Sequence, residues 1–139
     1  MQVQEAAQVG AQAGWSIINT PGSACNSVAM LPATINCPGL NAAVTTAVQS
    51  TSLGSRATLA TGSPSESYNC VNASGALQSV GSLSSKPSDC SAAGNANATP
   101  GDYIQIAVTT AHAPIFPGFS VIGLRGASSI SATSWMRLG

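Results

Sequence analysis

The chain has 139 residues, only 6% of them charged, and its four Lys/Arg balance four Asp/Glu to a formal net charge of zero. That length suits one domain with a core of its own, but soluble domains usually carry about 25% charged residues. A neutral surface rich in Ser, Ala, Asn and Gly has no electrostatic means of holding phosphate, which argues against nucleic-acid binding; it also lacks the repulsion that keeps small proteins apart, which favours a subunit working in contact with others.

Residues 1–19 combine good helix formers with a stripe of Val3, Ala6, Gly10, Ala13, Gly14 and Ile17 at three- and four-residue spacing. Small residues let another backbone come close. The segment therefore reads either as an ordinary first helix on the core or as the tail of a longer helix whose upstream part spans a membrane. Thr20-Pro21-Gly22-Ser23 stops it. A second helix is predicted from about Pro38 to Leu53, with Leu40, Val44, Ala47, Val48 and Thr51 on one face, Pro38 in the first turn and Gly54 as the stop. The expected organisation is an N-terminal helix over 1–19 and a disulfide-stapled globular domain over 20–139.

Short strands are predicted at Arg56–Ala60 and Glu66–Val71, separated by the turn residues Thr61-Gly62-Ser63-Pro64. From Asn72 to Pro100 the chain is polar, with Leu77, Val80 and Leu83 as its only bulky anchors, and residues 95–101 read as a turn. Two runs near the C-terminus then alternate with period two. Ile104, Ile106 and Val108 share a face, with Tyr103, Gln105, Ala107 and Thr109 opposite. Ile130, Ala132, Met136 and Leu138 share another, with Ser129, Ser131, Thr133 and Arg137 opposite and Trp135 as the apolar exception. Pro114-Ile115-Phe116-Pro117-Gly118 separates the runs, because two prolines without N–H groups cannot stay in a ladder. These elements predict an α+β fold: two helices on an antiparallel sheet of about four strands.

Cys25, Cys37, Cys70 and Cys90 include no Cys-x-x-Cys pair, and a single histidine is available to complete a metal set. An even number of spaced cysteines reads as two disulfides and an oxidising compartment outside the cytoplasm. Three pairings are possible. The sequential one, Cys25 with Cys37 and Cys70 with Cys90, is favoured because it closes short local loops. No apolar run of 18 residues occurs and no signal peptide opens the sequence, so a mature or trimmed chain is expected.

Catalytic signatures are missing. His112 ends the Ile104–Ile106–Val108–Thr110 face and reads as a plain strand-end residue, since no Gly-x-Ser-x-Gly elbow supplies a nucleophile. Glu5, Glu66, Asp89 and Asp102 are scattered, with no spacing that suggests a two-carboxylate hydrolase or a calcium loop. Asp102 reads as a turn residue leading into a strand. Asn72-Ala73-Ser74 and Asn97-Ala98-Thr99 match the glycosylation sequon, a common coincidence in so Asn- and Ser-rich a chain. No catalytic, cofactor-binding or metal site is expected.

The order of features resembles the ectodomain of TadE/TadG-like minor pilins of the tight-adherence (Tad, Flp) pilus system. The similarity lies in the small-residue helix at Glu5–Gly14, the second helix at Ala43–Gly54, and the strand and excursion bounded by cysteines from Tyr68 to Cys90. It also lies in the ending: Gly101–Ile106, then Pro114–Gly118, then Ser131–Arg137. The resemblance covers nearly the whole chain, and the strand, Pro-Φ-Φ-Pro, strand order is its most specific part. It implies a pilin-like fold and a non-enzymatic pilus assembly subunit at the periplasm or cell surface. Its partners would be other pilin or pseudopilin subunits, and the membrane through a helix lying ahead of Met1. No catalytic residues carry over. The second expectation is a secreted adhesion or carbohydrate- or surface-binding module that touches its target through Asn72–Pro100.

Overall fold

The computed structural model describes residues 1–23, 25–26, 30–111 and 129–139. His112 and the Pro114–Gly118 crossing lie outside them. The elements are α1 (Gln2–Asn19), α2 (Ala33–Asn36), α3 (Leu40–Gln49), β1 (Ala57–Leu59), β2 (Ser65–Val71), β3 (Leu77–Ser79), β4 (Gly101–Ala111) and β5 (Ser129–Arg137). The fold is α+β, with helices on an antiparallel five-stranded sheet and two disulfides.

β4 is the axis of the sheet. One edge carries β5 over Tyr103–Ala111. The other carries β2 against Gly101–Gln105 and β1 against Val108–Thr110, the two short strands lying end to end. β3 adds to the far edge of β2. Where the chain turns between β1 and β2, Ala107 of β4 stays satisfied: its carbonyl accepts the Ala60 N–H at 2.8 Å and its N–H donates to Ser63 Oγ at 3.0 Å. β3 was not expected. Its residues, Leu77-Gln78-Ser79, are too few and too exposed to carry an alternation signal, and pairing with β2 is what makes them a strand.

The alternation expected for the last two runs is observed, except that Ile130, at the start of β5 and expected on the inner face, is 46% exposed. Ile104, Ile106 and Val108 are fully buried, and Ala132 and Met136, opposite Val108 and Ile104 on β5, pack against the same core. α1 and α3 cover this face. Around α1 the buried arc is wider than the predicted stripe and rotated from it. Val3, Ala6, Gly10 and Gly14 are buried as expected, but Ala7, Ala11 and Ile18 are buried too, while Ala13 and Ile17 sit half-exposed on the flank. The cause is that α1 lies against two neighbours, the β4–β5 pair and α3, so a single-sided stripe does not describe it.

On α3 the core residues are Leu40, Val44 and Val48, with Ala47 and Thr51 half-buried. The helix ends at Gln49, short of the expected Leu53. Ser50 Oγ donates to the Ala47 carbonyl at 2.7 Å and Thr51 Oγ1 to the Val48 carbonyl at 2.8 Å; such side-chain bonds compete with helix propagation. Gly54, at φ +56°, then turns the chain away.

Both disulfides follow the sequential pairing. Cys25–Cys37 (Cα–Cα 5.6 Å) joins the main core, and Cys70–Cys90 (5.7 Å) ties the excursion after β2 back to that strand. A second small core forms around the latter from Tyr68, Cys70, Val80, Cys90 and Ala93, with Leu83 against it. Of the three expected anchors Val80 is buried, whereas Leu77 points to the outer face of the sheet and is 49% exposed.

Candidate functional site

The register places two acidic side chains together that lie far apart in sequence. On β2, Glu66 pairs with Ile104, and on β4, Asp102 pairs with Tyr68. Directly opposed residues point to the same face of a sheet, so Glu66, Tyr68 and Asp102 all lie on the helix-covered side with Ile104 and Ile106. Asp102 is 0% exposed and Glu66 8%. Asp102 is thus an inward-facing residue of β4, not the turn residue expected from Gly101-Asp102. The four acids are not all scattered either. The missed signal was parity: Asp102 shares the phase of Ile104, Ile106 and Val108, and Glu66 that of Tyr68 and Cys70.

The two carboxyls differ in their partners. Glu66 Oε1 accepts the Ala33 N–H at 2.8 Å; Oε2 accepts the Thr34 N–H at 2.7 Å and the Thr34 hydroxyl at 2.6 Å. That donor set is why four residues within the Cys25–Cys37 loop form α2, a helix too short for any periodicity to foretell. Asp102 has no donor at either oxygen. Burial first, then the neighbouring Glu66 carboxyl, as a proton-sharing partner and as a charge, push its carboxyl up to about 7, with Lys86 opposing. Carboxylates donate nothing, so a bond between the two acids requires a proton on one of them. Tyr68 beside them is raised by burial and then by the charges of Asp102 and Glu66, and the Lys86 ammonium lies 5.5 Å from its ring centroid.

The other expected residues are spread through the structure. Glu5 is exposed in the first turn of α1, where a negative charge suits the helix dipole. Asp89 caps the turn at Ser91, whose N–H and hydroxyl it accepts, and those bonds hold its carboxyl below the usual range. Asn72 closes the turn between β2 and β3: its Oδ1 accepts the N–H groups of Ser74 and Ala76, each at 3.0 Å. Among the described residues, no three His, Cys, Asp or Glu side chains gather closely enough to hold a metal ion. No described helix is long and apolar enough to cross a membrane.

The outer face of the sheet carries exposed apolar side chains. Val71 and Leu77, opposite each other on β2 and β3, and Trp135 on β5 are each about half exposed. Trp135, Leu77 and Asn69 line a shallow hollow of about 350 Å³. A hollow of about 380 Å³ lies between α2, the start of α3 and the Pro64 turn, lined by Thr34, Ile35, Asn41 and Ser63 among others. Neither hollow is lined by Glu66 or Asp102, so the acid pair does not open onto them.

Comparison of the chain with protein-family models, with curated proteins and with solved structures finds no match. The two disulfides suit an oxidising environment outside the cytoplasm.

Proposed function

We propose that this chain is the extracytoplasmic part of a non-enzymatic minor pilin, an assembly subunit of a Tad-type, type IV-like pilus that acts in pilus biogenesis and surface adhesion. The observation that carries the reading is the seating of α1. It is the first element, and its glycines let it lie directly on the sheet: a Cβ at Gly10 would stand 3.0 Å from Ile106 Cγ2, and one at Gly14 3.0 Å from Ile104 Cδ1. In this reading α1 joins a bundle of like helices in membrane or filament. The near absence of charge supports work through packing against other pilin or pseudopilin subunits.

The test is genetic and biochemical. A coding sequence carrying about 20 apolar residues just ahead of Gln2, together with loss of pili on deletion of the gene, supports the reading. A cleavable secretion signal in that place, or normal piliation without the gene, overturns it. The half-exposed Trp135, Leu77 and Val71 on the outer face favour a second reading, a secreted adhesion or surface-binding module. Trp135→Ala that leaves piliation intact yet abolishes surface attachment would select it.

A further inference from the structure

The Glu66–Asp102 pair lies where three parts of the fold meet. Glu66 holds the start of α2, and with it the Cys25–Cys37 loop, through three donors. Asp102 sits in β4 and holds the chain end through its backbone: its N–H donates to the Gly139 carbonyl at 2.9 Å and its carbonyl accepts the Leu138 N–H at 2.7 Å. Among the described residues, the Asp102 carboxyl is the buried side-chain group left without a donor. A metal ion does not fit there, because both Glu66 oxygens already face N–H or O–H groups that a cation would have to displace.

We propose that Asp102 and Glu66 share one proton and form a pH-operated clasp between the sheet and α2. With the proton in place, the Asp102 hydroxyl donates to Glu66 and one buried charge is removed, leaving only the second Asp102 oxygen without a donor. When it leaves to solvent, the Asp102 O–H bond breaks and two buried negative charges face each other. The element that yields is α2, four residues long and tied to the sheet by Glu66. The charged and titratable groups facing Asp102 are Glu66 and Tyr68 from β2 and Lys86 from the loop after β3. α2 contributes only neutral donors, and Arg137 of β5 pairs with Tyr103 on the opposite face. Lys86 is exposed and so compensates the second charge only in part.

A group protonated in the fold and ionised in the unfolded chain stabilises the fold below its unfolded pKa, and that stabilisation is lost as pH rises through its folded one. With Asp102 raised from 3.8 to about 7, the loss falls between those values. Urea unfolding from pH 5 to 7 should show the unfolding constant of the wild type rising by up to about tenfold per pH unit. In Asp102→Asn, whose amide donates to Glu66 at every pH, that component should vanish, while any contribution of His112 remains in both proteins. Carboxyl 13C NMR should show Asp102 titrating near neutrality, a simple spectrum with four acidic side chains. Amide exchange of Ala33 and Thr34, corrected for intrinsic rate, should accelerate over the same range. Matching pH profiles in the two proteins, an Asp102 signal titrating in the ordinary aspartate range, or calcium stabilising the wild type but not Asp102→Asn at pH 8 would each overturn the clasp. If Asp102→Asn does not fold, the wild-type NMR titration and exchange data decide alone.

Discussion

Gly10→Ala tests whether α1 is held by close approach or merely by burial. In an isolated helix this change is favourable by about 1 kcal/mol, because glycine is a poor helix former. Here the new methyl would stand 2.8 Å from Val48 Cγ2 and 3.0 Å from Ile106 Cγ2, well inside the 3.5–4.0 Å at which carbon atoms attract. Val48 and Ile106 are β-branched and buried, so neither side chain can swing aside. α1 must lift from the sheet and from α3, at a cost of about 1–3 kcal/mol. The net effect is a loss of about 1 kcal/mol, or roughly 3–5 °C in Tm. Gly14→Ala is the control. Its nearest neighbour is Ile104 Cδ1 at 3.0 Å, the rotatable end of a side chain, so the helix-propensity gain should at least offset the crowding. Urea denaturation under non-reducing conditions should rank Gly14→Ala above Gly10→Ala by about 1–2 kcal/mol. Val48→Ala should relieve part of the Gly10→Ala penalty in a double-mutant cycle. Stabilisation of Gly10→Ala by the full 1 kcal/mol, with no coupling to Val48, would refute the close-approach argument.

Three further outcomes are expected. Glu66→Ala strands the N–H groups of Ala33 and Thr34 and the Thr34 hydroxyl; at about 1–3 kcal/mol per unsatisfied buried group, it should destabilise by several kcal/mol and expose α2 to exchange, and an unchanged unfolding midpoint would refute the role given to Glu66. Val44→Asp places a charge in a fully buried site on α3 and should leave no folded protein by circular dichroism. Replacing Cys70 and Cys90 together by Ser removes a crosslink spanning 20 residues, worth about 3 kcal/mol, and should make residues 72–100 the first site of limited proteolysis; equal resistance in the two proteins would show that the small core around Val80 suffices alone.

Much of the fold was legible because its determinants are local. Period-two alternation marked β4 and β5, and three- to four-residue spacing marked α1 and α3. Short loops pointed to the disulfide pairing that forms. The boundaries were harder, since Ser50 and Thr51 end α3 through bonds to its own carbonyls that propensity does not register.

What the sequence by itself determined is the class: two helices on an antiparallel sheet, stapled by two disulfides and almost without charge. Tertiary structure alone decided which residues meet. The buried arc of α1 is set by its two neighbours, and β3 and α2 exist because β2 and Glu66 give their backbones partners. Glu66 and Asp102 meet because β2 and β4 pair in one register. Periodicity assigns a residue to a face; the strand on the other side of the ladder determines what it finds there.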